Sequence, residues 1–516
     1  MDYDKILEEV NHPELVFGLV GPIGVNMDDV QNCLREALLQ VGYDGVCIHL
    51  TKALEKYQAK VKGTSGQTEY ERKISTANSF CRATGDGAAM AALAIMEIKS
   101  TRLDHNKEVR HLPAEQIDTA IPKKAYIIRQ LKRKDEIKLL RKVYGDKFIQ
   151  VSVSLPKDLR VENLIKRMAV DHPHMKQAEC DKNARNLIEI DEHEDGDDFG
   201  QQVGEIFHLG DFFVRSDDIR ALNQNLQGFI RSLFGDNRAS PTKDEFGAYM
   251  ASTAALRSAD LSRQVGSAIL SDQGDIIAVG CNEVPKAGGG NYWYDDVAPA
   301  RDIERGGEQN SIEKQRIIVD FMQGLQKAGL VTGEIKIESD EMKAKLASVT
   351  SDALISDITE YGRMTHAEMS AICDAARLGR QVLNSTIFVT TFPCHNCAKH
   401  IVAAGIRRVV FIEPYPKSKA LVSHTDSVTS EPSNTGKVVF EHFQGIAPSR
   451  YREIFSKGRR RRGAKVEAWY EGEARPRVLH RENTHIHRED VVLDLLKSAF
   501  ETEKSSGEAK IPLTNP

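Results

Sequence analysis

Apolar residues open the chain in short blocks that alternate with segments of helical spacing. Residues 15–20, LVFGLV, form a continuous apolar run with strand character. The segment QNCLREALLQVG repeats apolar residues at helical spacing, with Asp28 or Asp29 as candidate cap and Gly42 as candidate end. DGVCIHL indicates a second buried strand. This order of strand, glycine-rich turn, helix and strand predicts a βαβ unit with a parallel sheet.

The same order of elements continues towards the middle of the chain. KKAYIIRQ, KDEIKLLRKVY and DKFIQVSVSL predict strand 124–130, helix 134–144 and strand 147–154. Residues 239–246, ASPTKDEF, have the small and turn-forming composition of a linker. We therefore expect one α/β domain over residues 1–237 and another after the linker.

The second half begins with a helix and an apolar hairpin. RQVGSAILSDQGDIIAVGCNEVP splits into strands 264–270 and 275–281 around a Gln-Gly turn, which predicts an antiparallel pair. A helix at THAEMSAI, a strand STIFVTT, a helix at CHNCAKHI and a strand RRVVFIEP follow. Two successive strand-to-helix units place both helix N-termini at the carboxyl edge of one sheet.

Composition limits the classes of partner. The 516 residues are 41% hydrophobic and 28% charged with a formal net charge of −5, so nothing draws the whole chain to nucleic acid or membrane. The N-terminus MDYDKILEEV lacks the basic and apolar regions of a signal peptide, and no apolar run reaches the about 18 residues that span a bilayer. Eight widely spaced cysteines fit reduced thiols better than a disulfide framework. We expect a cytoplasmic protein without a membrane partner.

Three residues in the second half have the chemistry of a metal site. TTFPCHNCAKHI places Cys394 and Cys397 at the start of a helix, and THAEMSAI places His366 in the first turn of an earlier one, with Thr365 as candidate cap. Because both helices are expected at one sheet edge, these side chains can converge on Zn²⁺ and leave a fourth position open. Glu368 is two residues from the histidine, so it should transfer protons rather than bind the metal.

This pattern favours a catalytic site. A cysteine in the first turn of a helix has a lowered thiol pKa, and Zn²⁺ lowers the pKa of a bound water to about 7. H-x-E followed by P-C-x-x-C is the signature of zinc deaminases that act on cytosine or adenine. A structural zinc site with His395 or His400 as fourth ligand is the alternative.

Residues 246–286 and 362–420 resemble a deoxycytidylate deaminase of the cytidine and deoxycytidylate deaminase family. The matching stretches are AALRSADLSRQVGSAI, GCNEVP, THAEMSAI and TTFPCHNCAKHIVAAGI. The resemblance implies a three-layer α/β/α fold and a site in which His366, Cys394 and Cys397 hold zinc while Glu368 shuttles protons.

The same resemblance implies a set of substrate-binding residues. Asn282 would hydrogen-bond the sugar or base, Arg257 and Arg263 would bind the nucleotide phosphate, and Tyr415 would pack on the sugar. For the two arginines, an exposed helix C-terminus is the alternative, because cations are favoured there anyway.

The glycine-rich turn near the N-terminus resembles the P-loop of nucleotide kinases. Gly18, Gly21 and Gly24 have a GxxGxxG spacing, but Val25 and Asn26 stand where a lysine and a hydroxyl residue are expected. Without that lysine we expect no phosphoryl transfer. Two interpretations stay open: a nucleotide that binds here without turnover, and a tight structural βα turn.

These resemblances define the expected architecture. Residues 1–237 form a P-loop nucleotide-kinase-like domain with a doubly wound parallel sheet, and residues 240–450 form the zinc-dependent deaminase domain. Within the latter, residues 288–360 are an insertion long enough to form a lid or an oligomer contact, although its aromatic residues can simply pack within it. Residues 451–516 form an extension that ends in a disordered tail. Its basic run, KGRRRRGAK at 457–465, binds phosphate or RNA or is simply solvated.

A kinase-like module joined to such a deaminase resembles the bacterial anti-phage deoxycytidine nucleotide deaminases. This resemblance implies conversion of dCTP and dCMP to dUTP and dUMP with release of ammonia, which depletes the nucleotide pool that a phage needs. It also implies a homo-oligomer controlled by a non-coding RNA or a nucleotide. A housekeeping dCMP deaminase and a polynucleotide cytosine deaminase are the alternatives, and the residues do not separate dCMP from dCTP.

Overall fold

The chain folds into two compact units. The structure is a computed structural model that describes residues 10–57, 68–192, 194, 197–331, 345, 348, 350, 353, 355, 358, 360–431, 436–458, 460–466, 469, 474–478 and 484–505. Unit 1 comprises Met1–Thr242 and Gln444–Pro516, and unit 2 comprises Lys243–Phe443. No helix within the described ranges is both long and apolar enough to cross a bilayer.

Helices and strands alternate through most of both units. The first segment of unit 1 contains β1 (Leu15–Val20), α1 (Met27–Gln40), β2 (Asp44–His49), α2 (Leu50–Tyr57), α3 (Glu69–Thr84), α4 (Ala89–Glu108), β3 (Lys124–Arg129), α5 (Lys134–Tyr144), β4 (Phe148–Ser154), α6 (Lys157–Asp171), α7 (Gln177–Glu192), α8 (Val203–Ile206), β5 (Phe212–Arg215) and α9 (Ile219–Leu233). Unit 2 contains α10 (Lys243–Ala255), β6 (Gly266–Leu270), β7 (Ile276–Cys281), α11 (Asp302–Arg305), α12 (Gln309–Lys327), α13 (Ala367–Arg377), β8 (Thr386–Thr391), α14 (His395–Ala403), β9 (Arg408–Glu413), α15 (Ala420–Ser423), β10 (Val428–Thr429) and β11 (Val438–His442). The last segment of unit 1 contains β12 (Gly445–Ile446), α16 (Pro448–Phe455), β13 (Arg461–Arg462), β14 (Lys465–Val466) and α17 (His485–Ser505).

The sheet of unit 1 has the strand order β12–β5–β4–β1–β3–β2. Strands β1 to β5 run parallel, and β12 is antiparallel to β5. β2 and β3 lie on one side of β1, and β4 and β5 lie on the other, so the strand order reverses at β1. Such a reversal opens a crevice at the carboxyl ends of the strands. The glycine-rich turn after β1 lies at this edge.

Helices cover both faces of this sheet. Successive residues of a strand point to opposite faces. Leu15, Phe17 and Leu19 of β1 belong to a core that contains residues of α1 and α9. Val16 and Val20 belong to another core, with residues of α2 to α5 and α17. Unit 1 is therefore a parallel α/β sheet with helices on both faces, as the sequence predicts.

The first helix begins earlier than the sequence predicts. Asn26 is its N-cap residue, so Asp28 and Asp29 lie in the first turn and not at the cap. Acidic side chains there still stabilise the positive end of the helix dipole. Gly42 follows the helix with a φ of 76°, which agrees with its predicted role as the helix end.

The C-terminal boundaries also differ from the expected ones. The sequence predicts residues 444–450 within the zinc domain and residues 451–516 as a separate extension. In the structure both segments belong to unit 1, because Ile446 of β12 pairs with Phe212 of β5 and extends its sheet. Backbone pairing with a distant strand leaves no signal in the local sequence.

A buried charge cluster ties the last helix to the same unit. Arg102 of α4 donates hydrogen bonds to Glu14 and to Glu489 of α17, and none of the three side chains is more than 2% exposed. Removing Arg102 would leave two buried carboxylates without their shared cation, which is strongly destabilising. Of the predicted disordered tail, residues up to Ser505 lie in α17, and the remainder lies outside the described residues.

The sheet of unit 2 has the strand order β10–β11–β9–β8–β6–β7. β8 to β11 run parallel, whereas β6 is antiparallel to both β7 and β8. β7 and β8 therefore point the same way. The next regular helix after β7 and its insertion is α13, and α14 follows β8, so both helices start at the same edge of the sheet. This is the arrangement that the sequence predicts.

Unit 2 has three layers. Gly266 and Ser267 are neighbours in β6 and face opposite sides of the sheet. A Cβ at Gly266 would lie 2.0 Å from the carbonyl oxygen of Ala251 in α10, so that helix packs directly on the strand. Ser267 Oγ donates to the carbonyl of Ala367 in α13 at 2.7 Å. α13 and α14 share one core, and α10 covers the other face, which agrees with the expected α/β/α layers.

Candidate active site

Two of the candidate metal ligands stand at the starts of neighbouring helices in unit 2. His366 is the N-cap residue of α13 and Cys394 is that of α14, both with extended backbone. The prediction of Thr365 as the first cap is wrong by one residue. The backbone of Thr365 instead pairs with that of Glu283. Because both helices begin at one sheet edge, the fold brings the two side chains together.

The third candidate ligand, Cys397, lies in the first turn of α14 and forms a compact group with His366 and Cys394. His366 Nδ1 lies 3.4 Å from Cys394 Sγ and 3.3 Å from Cys397 Sγ, and the three ligand atoms all lie within 4.8 Å of one another. Tetrahedral zinc with ligands at about 2.0–2.3 Å separates its ligand atoms by about 3.5 Å. The donor types and their spacing therefore fit zinc.

A fourth protein ligand does not join this group in the described part of the chain. His400 Nδ1 lies 2.6 Å from the carbonyl oxygen of Asn396, and His395 lines the adjoining cavity. Structural zinc sites use four protein ligands, whereas catalytic sites keep one position open. The arrangement therefore favours the catalytic interpretation over the structural one.

Glu368 lies in the first turn of α13 and is only 4% exposed. Burial raises the pKa of its carboxyl group. The hydrogen bond with Cys397 lowers the pKa of Cys394 to about 3. A thiolate is the form of cysteine that binds metal, and a carboxyl group with a raised pKa is suited to proton transfer near neutral pH.

A cavity of about 380 Å³ opens beside this group. His366, Cys394 and Glu368 all line it, so the metal position and the proton-transfer group face the same space. Cavities of this size hold small molecules and orient them through a few polar groups. The site can therefore present one small substrate to both functional groups at once.

Asn282 also lines the cavity, but the protein engages its amide group. Oδ1 accepts a hydrogen bond from the N–H of Val265 at 2.7 Å. Nδ2 donates to Asp260 Oδ2 and to the carbonyl of Arg263, each at 2.9 Å. The sequence predicts that Asn282 binds a sugar or base. In the structure both of its amide hydrogens are instead directed to the loop before β6.

The two arginines expected at the phosphate have different surroundings. Arg263 lines the cavity and its guanidinium lies 5.1 Å from the centre of the Tyr415 ring, which lines it too. Arg257 does not belong to the described residues that line the cavity. Its guanidinium lies 3.6 Å from the ring centre of Trp293 and donates to two backbone carbonyls of the insertion. The structure brings Arg263 and Tyr415 to the site and directs Arg257 to the insertion.

Several side chains of the cavity were not anticipated. Lys417 and Lys419 follow Tyr415 in the loop after β9, and Asp302 and Arg363 come from the insertion and the segment after it. The lysines in PYPKSK are a usable signal, because they share a loop with Tyr415. Local sequence does not mark Asp302 or Arg363, which reach the cavity only through the fold of the insertion.

The glycine turn of unit 1 is closely packed. Gly21 and Gly24 lie in this turn, whereas Gly18 lies within β1. A Cβ at Gly18 would lie 2.7 Å from a neighbouring side chain, and one at Gly21 would lie 2.3 Å from another. Gly24 has a φ of 94°, and a Cβ there would lie 2.8 Å from the backbone oxygen of Arg160 in α6. Each glycine thus permits close approach of the protein itself, and these contacts favour the structural βα turn over a bound nucleotide.

A backbone N–H of this turn donates a hydrogen bond to a carboxylate of the protein itself. The N–H of Ile23 donates to Asp191 Oδ2 at 2.6 Å, and Lys132 Nζ donates to Asp191 Oδ1 at 2.6 Å and to the carbonyl of Gly21 at 2.9 Å. Asp191 is 1% exposed. Backbone amides and a lysine are the groups with which such turns bind phosphate. A cavity of about 570 Å³ adjoins this turn, and both Lys132 and Asp191 line it.

Part of the chain is similar to known deaminases. Residues 241–413 match the family model described as the Cytidine and deoxycytidylate deaminase zinc-binding region. The deoxycytidylate deaminase of Homo sapiens is 27% identical over 158 residues, which cover 31% of this chain and 57% of that protein. That of Enterobacteria phage T2 is 46% identical over 54 residues, which cover 10% of this chain and 29% of that protein. These matches support the cytidine and deoxycytidylate deaminase family for this part of the chain.

The similarity is limited in extent. The chain spans little more than half of the human relative, at 57%, and less than a third of the phage relative, at 29%. The crystal structure of dCMP deaminase from the cyanophage S-TIM5 in complex with dCMP and dUMP is 17% identical and covers 39% of this chain and 99% of that chain, with a TM-score of 0.22. A TM-score this low carries no argument for a shared fold.

Proposed function

We propose that unit 2 catalyses the hydrolytic deamination of deoxycytidine nucleotides, dCMP or dCTP, to the uracil nucleotide and ammonia. The observation that carries the proposal is that the His366, Cys394 and Cys397 ligand atoms cluster together, while His366, Cys394 and Glu368 line one cavity. The match of residues 241–413 to a deaminase family and the similarity to the human deoxycytidylate deaminase support the same chemistry.

The chain's own residues divide the work between binding and proton transfer. His366, Cys394 and Cys397 would hold zinc, which in a three-ligand site lowers the pKa of a water to about 7. Glu368 would take one proton from the attacking water and pass it to N3 of the pyrimidine ring, and would then pass the second proton of that water to the amine. A C–O bond forms at C4, the C4–N bond breaks, and ammonia leaves. Burial raises the pKa of Glu368, so it can hold the proton between these steps.

The cationic wall of the cavity is the proposed place of the phosphate. Three cations line the cavity. Lys417 and Lys419 come from the loop after β9, which also carries Tyr415, and Arg263 comes from the segment before β6. Cations from the loop after β9 and from the segment between α10 and β6 can bind one phosphate or three, because each binds through charge. The proposal therefore includes both dCMP and dCTP, with the Tyr415 ring packed on the sugar.

Purified protein incubated with dCMP, dCTP and a single-stranded oligonucleotide tests the proposal. We expect uracil products from at least one mononucleotide and none from the oligonucleotide, measured by chromatography. Glu368→Gln should lower kcat by at least about 100-fold, the usual contribution of a general acid–base group, while zinc content stays unchanged. Asp374→Asn, a partly exposed carboxylate of the same helix that pairs with Arg377, is the matched control and should keep full activity.

Two outcomes would contradict this function. Product from the oligonucleotide alone would favour the polynucleotide deaminase. Full activity of Glu368→Gln would assign the metal a structural role.

We further propose that unit 1 is a nucleotide-kinase-like module without phosphoryl transfer. Its parallel sheet and the turn after β1 support the likeness, and Val25 and Asn26 in that turn argue against kinase activity. The packing around the turn supports a structural role for its glycines. Release of ADP from ATP in the presence of deoxynucleoside monophosphates would contradict this proposal.

The biological role follows from the joining of the two units. We propose a cytoplasmic, homo-oligomeric enzyme that depletes the deoxycytidine nucleotide pool during phage infection under control of an RNA or a nucleotide. The support is the resemblance of the whole arrangement to bacterial anti-phage deaminases. The test is the dCTP pool of infected cells that express the natural chain or Glu368→Gln. A pool that falls equally without infection would favour the housekeeping enzyme.

A further inference from the structure

The insertion between β7 and α13 supplies part of the wall of the unit 2 cavity. Asp302, Glu308 and Asn310 line the cavity from this insertion. Asn310 is an internal brace, because its side chain bonds the backbone of residues Ile358 and Tyr361. Glu308 accepts a hydrogen bond from Ser311 at 2.6 Å. Asp302 differs from both, because one of its oxygens is buried and has no hydrogen-bond partner among the described residues.

Asp302 is a buried carboxylate in which one of the two oxygens has a hydrogen-bond partner. It is 1% exposed, and Oδ1 accepts a hydrogen bond from Arg363 at 2.7 Å. Arg363 also donates to the carbonyl of Ala300 at 2.9 Å, which fixes its guanidinium. Asp302 Oδ2 has no hydrogen-bond partner among the described residues. A buried acceptor left without a donor is costly, so this oxygen marks a place for a donor from a ligand.

The proposed substrate offers few donors. A deoxycytidine nucleotide carries N–H groups on the amine at C4 and an O–H group at the sugar 3′ position. The amine must lie beside Glu368, since the C–N bond breaks there. The phosphate is an anion and is repelled by a carboxylate. The 3′-hydroxyl is the remaining donor.

We propose that Asp302 Oδ2 accepts a hydrogen bond from the 3′-hydroxyl of the deoxyribose and thereby selects the substrate, an inference that rests on the proposed function. Asn282, which the sequence assigns to the sugar or base, directs both amide hydrogens to the protein. The insertion therefore acts as a substrate-recognition segment. Arg363 acts as a positioning residue here, because its guanidinium donates to Asp302 Oδ1 and to the carbonyl of Ala300.

The experiment compares dCMP with its 2′,3′-dideoxy analogue, which lacks only the 3′-hydroxyl, on the natural chain and on Asp302→Asn. A hydrogen bond to a charged group corresponds to a factor of about 10 to 100. We expect the natural chain to prefer dCMP by this factor in kcat/KM. Asp302→Asn should lose the factor for dCMP, mainly through KM, and should process the dideoxy analogue within about 3-fold of the natural chain.

Glu308→Gln is the matched control, because it changes another cavity-lining carboxylate of the same insertion whose oxygen already has a protein donor. It should keep the preference for dCMP. Thermal melting and zinc content show whether each variant is folded.

Three outcomes would overturn the inference: equal use of both nucleotides by the natural chain, an equal loss on both by Asp302→Asn, or no loss on either. The first needs no variant, so a misfolded Asp302→Asn leaves the inference open to refutation. Failure of the natural chain to deaminate dCMP or dCTP would instead refute the proposed function and this inference with it.

Discussion

Two strand-to-helix turns of this protein lie at the carboxyl edges of their sheets and are used in different ways. In unit 1 the turn after β1 is filled by the protein, since Asp191 accepts from Ile23 and Gly24 packs on α6. In unit 2 the turn after β8 carries Cys394 and Cys397 beside an open cavity. The edge of a parallel sheet supplies free helix N-termini in both cases. What differs is whether the chain itself supplies the partner.

The two turns also differ in whether the buried carboxyl group beside them is paired with a lysine. Asp191 and Lys132 neutralise each other where both are largely buried, with side-chain exposures of 1% and 12%. Glu368 is 4% exposed, and burial raises the pKa of its carboxyl group. A satisfied carboxylate holds structure in place, whereas a carboxyl group with a raised pKa can exchange protons. Three changes test this contrast.

The largest effect is expected from removing a metal ligand in unit 2. Cys397→Ser should reduce bound zinc to below about a tenth of an equivalent and deamination by more than about 100-fold, because groups that merely orient a ligand already cost about 10- to 100-fold. Elemental analysis and product formation measure the two losses. Cys373→Ser, an exposed thiol on α13, is the control and should change neither. Activity that survives loss of the metal would contradict the proposed site.

A second change empties the turn of unit 1. Asp191→Ala leaves the Ile23 N–H without its acceptor and the largely buried Lys132 without its carboxylate partner, so we expect a loss of about 3–5 kcal/mol in the free energy of unfolding. Calorimetry of the full chain measures it. Asp181→Ala on the same helix breaks an exposed pair with Arg185 and should cost less than about 1 kcal/mol. Equal losses from both changes would refute the structural role of Asp191.

The same variant sharpens the comparison between the two turns. If the Asp191 carboxylate takes the position of an external anion, inorganic phosphate should raise the melting temperature of Asp191→Ala more than that of the natural chain. An identical response of both proteins would show that the emptied turn does not bind phosphate.

The smallest effect is expected at Gly24. Gly24→Ala combines a φ of 94° with a Cβ 2.8 Å from the backbone oxygen of Arg160, so we expect destabilisation by about 1–3 kcal/mol. Gly228→Ala in α9 has open space around its Cβ and should stabilise the helix by up to about 1 kcal/mol. Urea unfolding compares the two. A neutral Gly24→Ala would show that the turn relaxes without cost.

Much of the candidate site could be predicted because its chemistry is local. His366 with Glu368, and Cys394 with Cys397, are pairs a few residues apart at helix starts, and the apolar runs around them indicate the strands that lead there. The error at Thr365 is one residue, since caps are set by backbone geometry that neighbouring polar residues can share. The position of Arg257 could not be predicted without the fold of the insertion. Its guanidinium contacts Trp293 and two backbone carbonyls there and not the cavity.

Sequence alone determined the two α/β patterns and indicated the three candidate metal ligands and the candidate proton-transfer carboxyl group, because periodicity and short spacing act within a few residues along the chain. The tertiary structure decided which long-range partners meet. Asp191 reaches Ile23 across 168 positions, Glu489 reaches Arg102 across 387, and Asp302 meets Arg363 across 61. Such pairs depend on the burial of charge in a finished fold, which favours a partner from anywhere in the chain and leaves no pattern in neighbouring residues.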